Sequence, residues 1–451
     1  AGGAQGGSYQ RPLLLLLDRS VDLVTALRHS STYQALLDDM LDHRLNRVIL
    51  DVDGGGGASG SGKSGGGAAA GKKRRTYDVD GETDSFYAAH KGAPFPEAIE
   101  ANGTELAAVT QKEEAIRRKT TAAGINVDSA MAGGSALGAA SAAAGAGGGT
   151  TQELAAAVES LPGLLEQKKA LEMHTNILKA VMDVVAAREV PVYFEAEEDM
   201  VMTSRADKTR LQQLLGPGGK GSLRDKLRLL AVYCLAMRPA SADMTELEGV
   251  LRDAAAAAGP AAAAEAARGL AALGYLRRQV SLQHLPTTQD AAAGGGGGGG
   301  GGASGEAPRS GPKYIQGLLA MAQTQATGLL AKAAATAGQL LSRANHTYVT
   351  SVVHSLLEHG EEDDSYLFLD PKLRGATVDV AAARARAPPP HDVVVFLIGG
   401  GNYAEFQNLQ DYAARRGPAA PPLAITYGCT QLVNAEAFLA QLYKLGGHPP
   451  S

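Results

Sequence analysis

Two apolar runs of strand length, Leu13–Leu17 near the start and Val393–Ile398 near the end, constrain this chain more than any other feature. Each is continuous and closes on a turn signal, Asp18 in the first case and Gly399–Gly401 in the second. Such runs suit strands buried on both faces of a parallel sheet. After the first, Tyr33, Leu36, Leu37, Met40, Leu41 and Leu45 recur at helical spacing, with Ser30, Ser31 or Thr32 available as N-cap. Val48–Val52 then reads as a second strand, which predicts a β-α-β unit with a right-handed crossover. After the second run, Tyr403–Arg415 reads as a helix, Leu423–Tyr427 as a strand and Gln431–Leu445 as an amphipathic helix. The predicted fold class is therefore α/β: a parallel-sheet domain split in sequence, residues 8–82 and 391–448, with a large mainly helical domain, 83–385, inserted between its halves.

The inserted stretch carries helical periodicity over 104–119, 222–237, 242–258, 261–284, 313–334 and 338–359. Its longest element runs from about Leu154 to Arg188, with Pro162 near the start. From Gly163 to Arg188 that helix spans roughly 40 Å at 1.5 Å per residue. Leu164, Leu165, Leu171, Ile177, Leu178, Val181 and Val185 form an approximate apolar stripe along it. Three low-complexity insertions, 54–71, 122–150 and 287–312, hold much of the chain's 57 glycines and cannot bury a core. The basic run Lys72–Arg75 beside the first insertion reads as a solvated charge run.

Charge and cysteine content exclude several classes of function. With 42 basic against 47 acidic residues, the chain lacks the basic balance that a nucleic-acid binder needs to neutralise phosphates. Two cysteines are too few for a disulfide framework, and Cys234, inside an apolar helical pattern, reads as a buried thiol in a reducing compartment. No stretch of about 18 apolar residues occurs, so no membrane span is expected.

The motifs that promise chemistry are incomplete. Gly57–Ser64 reads GASGSGKS, a formal phosphate-binding loop with Lys63 and Ser64 in the phosphate and magnesium positions, but glycines follow where a helix must begin. Gly399–Ala404 fits a loose dinucleotide pattern between strand and helix, yet the next strand ends in Gly428-Cys429-Thr430 with no acid for a ribose. A tight turn that needs glycine at positive φ is the better account. Asp18 and Asp22 lie just past a strand's carboxyl end and could hold magnesium, but ordering the turn explains them as well. The ten histidines show no metal-binding spacing.

Several segments together resemble one family. Arg11-Pro12-Leu13 with Leu17-Asp18-Arg19-Ser20-Val21-Asp22, then Leu27, His29 and Thr32-Tyr33-Gln34-Ala35-Leu36, is similar to the first segment of the central sheet domain of the SM (Sec/Munc) family. His90-Lys91-Gly92-Ala93-Pro94-Phe95-Pro96-Glu97 resembles the entry to the helical domain in its Sly branch. Leu161-Pro162-Gly163-Leu164-Leu165-Glu166 with His174-Thr175-Asn176 resembles that domain's long hairpin, which the resemblance places at about 104–188. Phe368–Gly375, Gly399–Leu409 and Tyr427-Gly428-Cys429 resemble its closing signatures.

The resemblance implies a clamp-like, monomeric protein with no catalytic chemistry and no cofactor, which binds syntaxin-type SNAREs and assembling SNARE complexes. It implies action in transport between endoplasmic reticulum and Golgi, in the cytoplasm, peripheral to those membranes through its partners. An exposed apolar stripe on a long helix can receive an amphipathic partner helix. The candidate contacts are Pro162, Leu164, Leu165, Lys168, Leu171, His174, Thr175 and Leu178, and the competing account of the same stripe is hairpin core. The alternative function is a nucleotide-binding α/β enzyme using Gly57–Ser64 or Gly399–Ala404. Two departures from the family stand out: its N-terminal, syntaxin-peptide-binding domain has no counterpart before Arg11, and an Ala/Gly tract replaces the hairpin tip. Peptide capture by that domain is accordingly expected to be absent.

Overall fold

The structure, a computed structural model, describes residues 12–52, 73–122, 150–283, 347–359, 366–369, 390–416 and 422–447. In chain order the elements are β1 (Leu13–Asp18), α1 (Val24–Leu27), α2 (Tyr33–Met40), β2 (Asp42–Arg44), β3 (Arg47–Val52) and β4 (Lys73–Asp78). Then come α3 (Ser85–His90), α4 (Phe95–Ala122), α5 (Thr150–Arg188), α6 (Val190–Thr203), α7 (Lys208–Leu215), α8 (Leu223–Met237), α9 (Ser241–Ala258) and α10 (Pro260–Gln283). The end holds α11 (Tyr348–His354), β5 (Asp392–Ile398), α12 (Tyr403–Arg415), β6 (Ala424–Cys429) and α13 (Ala435–Leu445).

The described residues fall into two compact units, one of 12–31, 187–283 and all from 347 onward, the other of 32–52, 73–122 and 150–186. In the first unit β1, β5 and β6 form a parallel sheet in the order β1-β5-β6, with Leu15 opposite Val395 and Val395 opposite Tyr427. The chain's first strand thus pairs directly with its closing half. Leu15, Leu17, Val393, Val395, Leu397 and Ile425 pack with Val349, Val352 and Val353 of α11 and Leu409 and Tyr412 of α12. The opposite face was expected to be buried too, but Leu14 and Leu16 are 59% and 58% exposed. The helices packed on the sheet in this cluster cover a single face, which leaves the alternate residues of β1 outward.

A second core of the same unit is helical. Leu27 of α1, Tyr193 and Met200 of α6, Leu215 of α7, Leu229, Leu230 and Val232 of α8, Leu247 and Leu251 of α9, Leu276 of α10 and Leu439 of α13 share one cluster. Burying each such side chain stabilises by about 1.5–3 kcal/mol before entropy is charged against it. α8 is its centre and starts on a capping box, in which Ser222 accepts from the Asp225 N–H while Asp225 accepts from the Ser222 N–H. Cys234 is buried on α8, and burial pushes its thiol up to about 11.

The second unit corrects the expected β-α-β unit. β3 does not join the parallel sheet; it lies between β2 and β4 in an antiparallel sheet, with Val48 opposite Tyr77. The helix before it ends at Met40, and the Leu41–Leu45 stretch it was expected to include supplies β2 instead. Val48 and Leu50 of β3 are buried while Arg47 is exposed, the one-sided pattern of an antiparallel strand with a wet face. A two-residue connection from β2 also closes at lower entropic cost than a long crossover. Residues 73–75 of the basic run are backbone-paired in β4, with Arg74 and Arg75 displayed outward. The predicted helices at 222–237, 242–258, 261–284 and Tyr403–Arg415 correspond to α8, α9, α10 and α12. The helix at 313–334, residues 338–346 of that at 338–359, and nearly all of the three insertions lie outside the described residues, while the end of the second helix corresponds to α11.

Candidate functional site

The hairpin of α4 and α5 is the longest feature of the second unit, and two polar contacts set its register. Asn102 Nδ2 donates to Thr175 Oγ1 at 2.7 Å, and Lys168 Nζ donates to Glu113 Oε2 at 2.8 Å. The pairing runs 102 with 175 and 113 with 168, so the helices are antiparallel. Glu113 also accepts from Arg117 Nε at 2.8 Å, and hydrogen bonding from Lys168 holds its carboxyl below the usual range. Pro162 sits well inside α5, whose first turn begins at Thr150 rather than near the proline.

The predicted contact residues divide into two groups. Pro162 and Thr175 are exposed, and Leu164, Leu165 and Lys168 are half-buried. Leu171, His174 and Leu178 are 1%, 0% and 4% exposed, so the expectation that they belong to an outward stripe is corrected. Leu161, Ile177, Val181 and Val185 are buried with them, and the outward face carries Glu166, Lys169, Glu172, Asn176, Lys179 and Asp183. The stripe at 171–185 is consumed by packing because apolar area leaves water wherever the chain's own elements can cover it.

His174 is fixed on both ring nitrogens. Its Nδ1 lies 2.8 Å from the Tyr33 hydroxyl and its Nε2 lies 2.8 Å from Asp84 Oδ2. Phe86 and Tyr87 close around the ring, with centroids 4.8 and 5.9 Å away. The Asp–His–Tyr order has the outline of a proton relay, but Tyr33 and His174 are fully buried, and burial holds the Tyr33 hydroxyl well above its ordinary range. The cluster pins α5 to α2 and α3. The same Asp84 caps α3 by accepting from the Tyr87 N–H.

In the first unit, the Gly399–Ala404 turn lies at the carboxyl end of the parallel sheet, where α/β proteins place ligands. Gly399 and Gly400 have φ of 103° and 112°, which bears out the tight-turn account of the glycines. A side chain on Gly401 would run into Tyr427 and Cys429. Asn402 caps α12 by accepting from the Glu405 N–H, and Glu405 places a buried carboxylate in the helix's first turn, where the macrodipole favours negative charge. Glu405 Oε1 lies 2.8 Å from Arg19 Nη1, and its Oε2 accepts from the Tyr427 hydroxyl at 2.6 Å. Burial pushes the Glu405 carboxyl up, against the pull of the Arg19 guanidinium. Asp18 accepts from the Ser20 N–H at 2.9 Å and Asp22 from the Thr25 N–H at 3.0 Å, so both acids order the turn after β1. Gly57–Ser64 lies outside the described residues. Among the described residues no His, Cys, Asp and Glu grouping is placed to hold a metal ion, and no helix is long and apolar enough to cross a membrane.

Sequence reasoning missed a third polar cluster, buried in the first unit. His29 Nδ1 lies 2.8 Å from Glu197 Oε1, its Nε2 lies 3.1 Å from Asp225 Oδ1, and its backbone N–H donates to Glu197 Oε2 at 2.7 Å. Arg188 donates to both oxygens of Asp225, and Arg228 donates to the carbonyls of Leu27 and Arg28 at 2.7 and 3.1 Å. No motif spacing joins residues from α1's end, α6 and α8. The available signals were charged residues on otherwise apolar faces, of which Asp225 and Arg228 within the apolar run of α8 are the clearest.

Comparison with known proteins places these features in a family context. A sequence profile described as the Sec1 family matches residues 3–441. The human "Sec1 family domain-containing protein 1" is 33% identical over 458 residues, which cover 98% of this chain and 61% of that protein. The "Protein sly1 homolog" of Drosophila melanogaster is 33% identical over 451 residues, covering 98% of this chain and 62% of that protein. Among solved structures, Sly1p in complex with an N-terminal peptide of Sed5p has a TM-score of 0.63 at 21% identity, covering 97% of this chain and 59% of that one. The chain therefore spans about three-fifths of the length of the relatives it matches.

Proposed function

The chain belongs to the Sec1 family, and from that premise we propose that it binds syntaxin-type SNAREs and regulates vesicle docking and fusion in transport between endoplasmic reticulum and Golgi. The observation that carries the reading is the family match across residues 3–441, which takes in both the sheet segments and the helical hairpin. The complex of a fold neighbour with a Sed5p peptide, and relatives that bear the Sly1 name, support the partner class and the transport step. The proposed protein acts as a monomer in the cytoplasm, templates SNARE assembly, and reaches membranes through its partners.

The proposed partner contacts lie on the part of α5 that the chain leaves accessible. Pro162, Leu164, Leu165 and Thr175 offer partly apolar area beside the polar outward face, with Lys168 held by Glu113 at their edge. An amphipathic SNARE helix would lay its apolar positions against the leucines and its charges along Glu166, Lys169 and Glu172. Leu171, His174 and Leu178 support this surface from beneath. The Asn402 cap and the buried Glu405 carboxylate in the first turn of α12 weigh against the nucleotide-binding alternative at Gly399–Ala404.

The test is a pull-down of the full chain against cytosolic SNARE domains, singly and as assembled bundles. Selective retention of a syntaxin-type SNARE or its bundle is expected, with several-fold loss in Leu164→Asp/Leu165→Asp and an unchanged circular dichroism spectrum. Retention of no SNARE would overturn the function. Retention undiminished by the double substitution would move the contact away from α5.

A further inference from the structure

His29 and Arg188 lie beside the two points where the chain passes between its compact units, at Ser31–Thr32 and Ala186–Ala187, and both converge on Asp225. The outgoing segment is held from three directions. Arg228 binds the Leu27 and Arg28 carbonyls, Glu197 accepts the His29 N–H, and the His29 ring spans Glu197 and Asp225. The incoming chain turns sharply at the end of α5. Glu189 adopts φ of 51°, a left-handed conformation that a non-glycine residue holds only under constraint, and Arg188 immediately before it is clamped by Asp225.

Ring stoichiometry decides the protonation state this geometry requires. Both nitrogens of His29 lie within hydrogen-bond distance of carboxylate oxygens, at 2.8 and 3.1 Å, and all three side chains are fully buried. A neutral imidazole has one N–H, so it would turn a lone pair toward an anionic oxygen at one of those contacts. The imidazolium satisfies both.

We infer that His29, Glu197 and Asp225 form a protonation-dependent clasp. With the imidazolium present, the clasp ties the outgoing segment Leu27–His29 and the end of α5 to one carboxylate. When the proton passes to solvent, one of the two carboxylate contacts fails and the outgoing segment opens locally.

The groups that face the ring come from every packed element: Arg188 from α5, Tyr193 and Glu197 from α6, and Asp225 and Arg228 from α8. On the outgoing segment Arg28 is itself paired with Glu198 at 3.0 Å. Burial and the Arg228 guanidinium disfavour the imidazolium; Glu197 and Asp225 outweigh them, so the His29 pKa is raised from 6.5. For a raised histidine the stabilisation is complete below about 6.5 and is lost as pH rises through the folded value.

Hydrogen exchange on the full chain, at pH 6 to 8.5 with intrinsic rates corrected, tests the clasp. Protection over residues 24–31 is expected to fall as pH rises, by up to about tenfold per pH unit beyond the transition, the limit for release of one proton. Protection over 241–258 stays constant. His29→Gln removes the pH step, and Glu197→Gln moves it to lower pH. Protection over 24–31 that does not change with pH in the unmodified chain overturns the inference, whatever the folding of the variants. A pH step that persists in a folded His29→Gln chain, or stays in place in a folded Glu197→Gln chain, overturns it equally.

Discussion

Arg19, one residue beyond β1, and Glu405, in the first turn of α12, form a buried ion pair at 2.8 Å, with side-chain exposures of 5% and 0%. It joins the two ends of the sequence at the carboxyl edge of one sheet, where β1 and β5 lie side by side in parallel. Tyr427 donates to Glu405, and Arg19 donates to the Gly400 and Asp22 carbonyls.

Breaking that pair from one side is expected to be costly. Glu405→Gln or Arg19→Met alone should destabilise by about 3–5 kcal/mol, because each leaves an uncompensated or underbonded buried group. Arg19→Met with Glu405→Leu should cost clearly less than the sum of the single changes. Urea unfolding followed by far-UV circular dichroism reads this, since the chain has no Trp. Additive losses would show that the two side chains act independently.

The hairpin separates its buried and outward residues sharply. Leu171→Ala should lower stability by about 2–5 kcal/mol through loss of buried contacts and the cavity left behind. Lys169→Ala, two positions away and exposed, should stay within about 0.5 kcal/mol. Equal effects of the two on the unfolding midpoint would refute the packing described for α5.

Asp84 links the hairpin to acid stability. Burial acts to raise its carboxyl, but hydrogen bonds from His174 and the Tyr87 N–H outweigh it and hold the carboxyl below its ordinary value. A lowered acid contributes stability that is present above the unfolded value near 3.9 and is lost as pH falls through the folded one. The unfolding midpoint should therefore fall on acidification below about pH 4. Asp84→Asn, which can still cap α3, should flatten that limb. An unchanged acid limb in the variant would remove Asp84 from the account.

The turn after β5 depends on glycine. At Gly400, with φ of 112°, an added Cβ would meet Val433 Cγ2 at 2.9 Å. Gly400→Ala should cost about 1–3 kcal/mol in backbone strain alone. A midpoint equal to that of the unmodified chain would show that the turn relaxes without penalty.

Much of this arrangement is written locally. The run Val393–Ile398, the glycines after it and the cap Asn402 specify strand, turn and helix from neighbouring residues, and α8 announces itself through Ser222 and Asp225. Each of these signals acts over a turn or two of chain, the range over which caps and periodicity operate. α6 and α7 escaped notice, although Pro191 opens the first and Asp207 caps the second.

The sequence by itself determined the strands at the two ends, most of the helices between them and the family resemblance, because those rest on composition and spacing along the chain. Tertiary structure alone decided that β3 pairs with β2 and β4, that Leu171, His174 and Leu178 turn inward while Leu14 and Leu16 turn outward, and that His29 meets Glu197 and Asp225. Strand pairing, the choice of which apolar face is covered, and a buried charge cluster all join residues far apart in sequence. Their free energy depends on which surfaces the whole fold brings together, and no local pattern of residues encodes that.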